Sequence, residues 1–298
     1  MIKRGVRTLF HHLGYEINKI SISPDKTFSD RKRFDVTADP PPRDPVWPLP
    51  RRPDGFSDEE IRKEFAKHQF WHYAYAFEGG ISFPVRHAKP DVFINAPERH
   101  VQRFRHFMPY LIQSQNGSLK GKRILDIACN SGFWSIQCAL LGAEVVGFDA
   151  RPELIEQAEM IKSIVGANNA TFKVLNFQEM CPQALGGTFD IVLNLGFLYH
   201  LPDPLEALQR TKTMARKNIL LDTAVYRSDN PVIQLRWEEP LDIWTAYRAG
   251  IVTFPSKSGI DLMLRHIDVA EWFEIPIRTG DVPRDYLEQR RASWLIKV

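Results

Sequence analysis

Arg123-Ile124-Leu125-Asp126-Ile127-Ala128-Cys129-Asn130-Ser131-Gly132, followed by Val145-Val146-Gly147-Phe148-Asp149, is the stretch on which the fold turns. An apolar run ends in an acid, turns through small residues and enters a helix at Gly132, where free backbone N–H groups can face a ligand. A second apolar run ends in Asp149, about 20 residues on, where a carboxylate can accept hydrogen bonds from both hydroxyls of a ribose. The spacing predicts two parallel strands joined by a helix. A dinucleotide site calls for G-x-G-x-x-G, which lets backbone approach a pyrophosphate, and that pattern is absent. Asp126 inside the turn sets a like charge against a pyrophosphate but favours an ammonium group.

Bulk properties narrow the class. The 298 residues, 44% of them hydrophobic, suffice for one full-sized core with an appendage. No apolar run approaches the ~20 residues that cross a bilayer, and nothing near Met1 reads as a signal peptide, so a cytoplasmic protein is expected. Cys129, Cys138 and Cys181 show neither C-x-x-C pairing nor metal-ligand spacing, which fits a reducing compartment and points to no metal. A net charge of +3 is too small to imply nucleic-acid binding by itself.

From Lys122 onward, strands and helices alternate as in a doubly wound, Rossmann-like α/β sheet. Strands are expected at about 123–128, 144–149, 171–176, 189–195 and 217–223, with helices at about 132–141, 152–165 and 204–215. A helix at about 256–267 and strands at 271–277 and 292–298 complete a catalytic domain over residues 122–298. Residues 57–121 read as a helical and aromatic cap. Within it, Ser57 and Glu60 form a capping box that starts a helix running toward Phe70. A second helix runs from Pro97 to about Gln115, where Pro109 can kink it. Between them the aromatic stretch Phe70 to Ile81 suits either a core or the wall of a substrate pocket. Residues 1–56 divide into a basic amphipathic helix to about Ile20 and a Pro-rich stretch, Ala38 to Gly55, that favours an extended linker. The helix suits a membrane surface, a partner or the protein's own domain.

At residues 126–132 the chain resembles the class I S-adenosylmethionine-dependent methyltransferases, whose first motif is an acid followed by a Gly-x-Gly-x-Gly turn. Ala128 and Asn130 stand where that family usually has its first two glycines. Asn tolerates positive φ better than other non-glycine residues, and Ala adds only a methyl. The resemblance implies a seven-stranded sheet with an antiparallel last strand, S-adenosylmethionine as methyl donor and S-adenosylhomocysteine as product. Asp126 would hold the methionine amino end, Asp149 the ribose, and Asn176 and Phe177 the adenine. Ala128, Cys129, Asn130, Gly132, Ala150, Arg151 and Leu195 would complete the cofactor site.

Ligands of an open parallel sheet lie beyond the carboxyl ends of the strands. Asn194 to Pro204, with its Leu-Tyr-His-Leu-x-Asp-Pro run, resembles the segment bordering the methyl-transfer site in many small-molecule members. His200 is the candidate base there, since an imidazole exchanges its proton near neutrality, and Tyr199 is the second catalytic candidate. A packing role for His200 stands beside this reading. After Asp222 the alternation breaks for roughly thirty residues, too long for an ordinary βα loop. Trp237, Tyr247 and Arg248 of this insert, at about 225–254, together with Trp71 and Tyr73, are the substrate-binding candidates. Rings suit a sugar or aromatic group and a guanidinium clamps a carboxylate or phosphate. The alternative is an amphipathic helix from Pro231 to Ala249 that packs its aromatics inward.

The order Leu-Tyr-His, an insert, then Tyr247-Arg248-Ala249-Gly250-Ile251 through Phe254-Pro255-Ser256 is similar to the tRNA wobble-uridine carboxymethyltransferases and their small-molecule relatives. That similarity covers about the C-terminal two thirds and assigns site roles to Tyr199 and Arg248. The aromatic stretch and the basic leading helix also look like bacterial methyltransferases of polysaccharide or glycolipid synthesis. The expected function is O-methylation of a small polar acceptor, a sugar or a carboxylated metabolite, with nucleic acid disfavoured as a partner. Two alternatives are a tRNA-modifying enzyme with a basic face built from Arg99, Arg103, Arg105 and the N-terminal Lys and Arg residues, and a non-catalytic cofactor-binding module. An ordinary and a carboxylated cofactor both remain open.

Overall fold

The computed structural model describes residues 39–87, 98–239, 247–248, 250–278 and 280–298. The expected leading helix lies outside them. Helix α1 (Asp58–Ala66) starts at the capping box, in which Ser57 and Glu60 satisfy each other's backbone N–H groups, and it stops short of Phe70. Ile61 and Phe65, four residues apart on one face, are its buried pair. Two short strands, β1 (Tyr75–Ala76) and β2 (Ser82–Phe83), form an antiparallel pair. Helix α2 (Arg99–Ser114) continues through Pro109.

The sheet strands are β3 (Arg123–Ile127), β4 (Glu144–Asp149), β5 (Ala170–Val174), β6 (Phe189–Leu195) and β7 (Ala215–Ala224). Alternating with them run α3 (Phe133–Leu140), α4 (Pro152–Val165), α5 (Pro182–Leu185) and α6 (Pro204–Met214). The insert holds β8 (Ile233–Glu238) and β9 (Gly250–Pro255), paired antiparallel. After α7 (Lys257–His266) come β10 (Glu271–Glu274), α8 (Arg284–Leu287) and β11 (Arg291–Lys297).

The seven-stranded order is β10-β11-β7-β6-β3-β4-β5. Strands β3 to β7 pair in parallel, and β11 lies antiparallel between β7 and β10. Strand β3 therefore has β4 on one side and β6 on the other. At this reversal of strand order the flanking loops splay apart and leave a crevice at the carboxyl ends.

The described part of the insert pairs as two strands, which goes against the alternative of an amphipathic helix there: Ile233, Leu235 and Trp237 alternate with polar residues at the period of a strand. One expectation needs correction. The Pro-rich stretch is extended but docked. Leu49 is 1% exposed and bridges to Phe77, and Val46 exchanges two hydrogen bonds with the Gln137 side chain.

Candidate active site

The crevice is a cavity of about 890 Å³ that runs from the ends of β3, β4 and β5 past β6 to the hairpin and the start of β11. Its two halves are built differently.

The cofactor half is the turn after β3 and the residues just beyond β4 and β5. Ala128 and Asn130 both hold φ of 52°, and Gly132 holds 80°. The two replacements thus keep the left-handed conformation that glycine adopts freely, at a cost of about 1–2 kcal/mol for the alanine. Gly132 has no such latitude, because a Cβ there would lie 2.9 Å from Phe172 and 3.0 Å from Ala158. The turn is fastened from the cap: the Tyr75 hydroxyl lies 2.7 Å from the Ser131 carbonyl, and Trp134 Nε1 donates to the Tyr73 hydroxyl at 3.1 Å.

Asp149 lines the cavity although it is 6% exposed. Its oxygens accept the Asn130 and Arg151 backbone N–H groups at 3.2 and 3.1 Å. Burial raises its pKa in spite of those bonds. A desolvated carboxylate with lone pairs to spare fits the two hydroxyl donors of a ribose. Ala128, Asn130, Ala150, Arg151, Asn176, Phe177 and Leu195 line the same half. Phe177 packs its ring 5.0 Å from Phe197, while Asn176 caps the turn at 177–179 by accepting from the Gln178 N–H.

Three expected cofactor residues lie beneath the wall, not in it. Asp126, 1% exposed, accepts a hydrogen bond from the Ser135 hydroxyl at 2.7 Å, and burial pushes its pKa up to about 7. Cys129 is buried, with its thiol pKa raised by desolvation, and Gly132 is the helix cap behind the turn.

The acceptor half draws on distant parts of the chain. Tyr199 and His200 line it, their ring centroids 4.0 Å apart, and the Phe254 ring stacks on Tyr199 at 5.7 Å. Tyr73, Tyr247 and Arg248 also line the cavity. The other two substrate candidates do not. Trp71 is fully buried, stacked on Phe65 and donating to the Phe65 carbonyl. Trp237, 66% exposed, sits between two cavity-lining residues of β8, so the strand alternation turns it outward.

Among the described residues, seven arginines line the cavity, against four carboxylate residues. The deepest are held by a buried network. Arg103, 4% exposed, donates to Asp222 at 2.5 Å and to the Tyr286 hydroxyl at 3.3 Å. Tyr286 and Ser293 donate to the other Asp222 oxygen. Burial alone would raise the Asp222 pKa, but Arg103 and Arg291 hold it well below the usual carboxylate range. Arg99 clamps Asp285 with two bonds of 2.8 and 2.6 Å.

Arg291 is the exception. It approaches Asp222 and Asp285 only to 3.3 and 3.6 Å, and its Nε has no hydrogen-bond acceptor. Its guanidinium carbon lies 5.6 Å from the Tyr199 ring centre, so the arginine beside Tyr199 is Arg291, not Arg248. Arg248 instead lies over the Tyr247 ring.

No open basic face forms from Arg99, Arg103 and Arg105. The first two are held as above, and Arg105 pairs with Asp44 and Asp281. Arg290 and Arg291 escaped the sequence reading, because an Arg-Arg pair ahead of an apolar run looks like a solvated turn.

Residues 118–240 match a family model described as a methyltransferase domain. Curated relatives include tRNA U34 carboxymethyltransferases of Alteromonas mediterranea (29% identical, covering 59% of this chain and 52% of that one) and Idiomarina loihiensis (25%, covering 68% and 60%). The chain thus spans between about half and 60% of the length of these relatives. The crystal structure of the N-terminal domain of EvdMO1 in the presence of SAH and D-fucose superposes with a TM-score of 0.62 at 20% identity, covering 83% of this chain and 98% of that one. Residues 118–240 thus carry the sequence pattern of a methyltransferase domain, and the sheet order is that of the methyltransferase fold, shared with the EvdMO1 domain. The cavity residues that follow β3, β4 and β5 fit S-adenosylmethionine as a cofactor.

Proposed function

We propose that the protein methylates an oxygen of a small polar acceptor, a sugar or a carboxylated metabolite. The observation that carries this reading is the acceptor half of the cavity, where guanidinium groups with spare donors meet aromatic rings. Among the described residues neither Arg236 nor Arg248 pairs with a carboxylate. Arg236 donates to Gln234 and lies over the Phe254 ring, and Arg248 lies over Tyr247. Such groups bind carboxylate or polyhydroxyl oxygens, and the rings offer flat apolar surface to a sugar face. The D-fucose in whose presence the N-terminal domain of EvdMO1 was crystallised is in keeping with a sugar.

When bound, the cofactor supplies an electrophilic methyl group on a sulfonium. Asp149 would hold its ribose, Phe177 and Leu195 would enclose its adenine, and the left-handed turn at 128–132 would face its methionine end. The protein's part is to orient the acceptor oxygen in line with that methyl and to exclude water. Three free cysteines and no described helix long and apolar enough to cross a membrane go with our placing the reaction in the cytoplasm.

The test is methyl transfer from labelled cofactor to D-fucose and D-glucuronate. Arg248→Lys should lower kcat/KM tenfold or more while leaving S-adenosylhomocysteine affinity within about threefold, since an ammonium cannot reproduce a bidentate clamp. Full activity in Arg248→Lys combined with Tyr247→Ala would move the acceptor away from the insert. A tRNA acceptor is the second reading, favoured by the names of the curated relatives. Salt-sensitive retention of tRNA, beyond that of an unrelated polyanion, would support it.

A further inference from the structure

Strand β8 of the hairpin places Arg236 and Glu238 at the cavity, and Glu238 reaches His200 on the segment that follows β6. His200 Nδ1 and Glu238 Oε2 are 3.2 Å apart, with the two side chains 13% and 22% exposed. A carboxylate can only accept, so the bond fixes the proton on Nδ1 and leaves the lone pair on Nε2. Among the described residues Nε2 makes no hydrogen bond to protein, and His200 lines the cavity. The hairpin is itself anchored to this segment, since the Thr253 hydroxyl donates to the Leu201 carbonyl at 2.7 Å.

We propose that His200 is the general base of the transfer and that Glu238 is its positioning residue, supplied by the insert. This rests on the O-methyltransferase reading above. The acceptor oxygen bonds to the methyl carbon as the carbon–sulfur bond breaks and its electron pair stays on sulfur. The hydroxyl proton passes to His200 Nε2, and the resulting imidazolium keeps its Nδ1 proton, donating it in a hydrogen bond to the Glu238 carboxylate until Nε2 returns its proton to solvent. The insert thereby does more than bound the acceptor: without Glu238 in place, the ring is free to adopt the tautomer that cannot take the proton. Among the described residues, Arg236 on the same strand, Tyr199 beside the ring and Arg291 across Tyr199 also line this part of the cavity wall.

A double-mutant cycle tests this with labelled cofactor and D-fucose, D-glucuronate and tRNA as acceptors. S-adenosylhomocysteine affinity within about threefold of wild type serves as the check on folding, and His200→Gln replaces His200→Ala if the latter loses it. His200→Ala should reduce kcat by 100-fold or more, in the range of general-base catalysis, with KM little changed. Glu238→Ala should reduce it about tenfold, and the double variant should be no slower than His200→Ala alone. Glu238→Gln, whose carbonyl still accepts from Nδ1, should recover most of the rate that Glu238→Ala loses. Multiplicative losses in the double variant, or wild-type kcat in His200→Ala, would overturn the assignment while leaving the methyltransferase reading intact. Binding of S-adenosylhomocysteine by wild type without methylation of D-fucose or D-glucuronate would overturn the small-acceptor reading, and the base role with it.

Discussion

The two halves of the cavity differ in how they are assembled. The cofactor half comes from residues that directly follow three neighbouring strands, and its one deeply placed cavity-facing carboxylate, Asp149, is satisfied by local backbone N–H groups. In the acceptor half, side chains from α2, the segment after β6, the hairpin and the start of β11 converge on a buried set of arginines and carboxylates. The first half is fixed by backbone conformation, the second by electrostatics between elements far apart in the chain. Substitutions in the two should therefore fail in different ways.

The largest effect is expected in the acceptor half. Asp222→Ala leaves Arg103 and Arg291 buried without their shared partner, and breaking a buried pair costs about 3–5 kcal/mol. Urea unfolding should show that loss, and a loss under about 1 kcal/mol would mean that the network is not what ties β11 to β7 and α2.

Asp126 sharpens the contrast through pH. Its pKa is pushed up to about 7 in the folded protein from an ordinary 3.8 in the unfolded chain, so the native state holds the extra proton between those limits. Its contribution to stability therefore falls as pH rises from about 4 to about 7, by up to about 4 kcal/mol. Asp126→Asn keeps an acceptor for Ser135 and escapes the cost. The variant should match wild type near pH 3.5 and gain on it steadily up to pH 7, as followed by denaturant midpoints at each pH. A constant difference would place the titration elsewhere.

In the cofactor turn the effects are smaller and opposite in sign at neighbouring positions. Gly132→Ala combines a positive φ with close approach to Phe172 and Ala158 and should cost about 2–4 kcal/mol. Ala128→Gly relieves left-handed strain and should stabilise by about 1 kcal/mol. Thermal unfolding of the two variants reads both signs in one comparison.

The same contrast explains what could be read from the sequence. Strands β4 and β6 fall where their hydrophobic runs place them, because a buried parallel strand is a short local pattern. Asp149, Asn176 and Phe177, which the rule that ligands sit after strand ends singles out, all line the cavity. The hairpin was legible in part: Ile233-Gln234-Leu235-Arg236-Trp237-Glu238 alternates with period two, but a run of charged and aromatic residues also suits a helix. Arg291 was out of reach. Its role depends on Asp222, 69 residues earlier in the chain, and on Tyr199 after another strand, so no local pattern marks it. Trp71 misled because a dense aromatic stretch suits a pocket wall as well as a core, and only packing on Phe65 and Tyr75 decides.

The most direct test is calorimetric titration of S-adenosylhomocysteine into wild type, Asp149→Ala and Arg248→Lys. Loss of a charged hydrogen bond to the ribose is worth about 1.5–3 kcal/mol, so Asp149→Ala should bind about 10- to 100-fold more weakly, while Arg248→Lys stays within about threefold. Unchanged affinity in Asp149→Ala, or a comparable loss in Arg248→Lys, would contradict the division of the cavity into a cofactor half and an acceptor half.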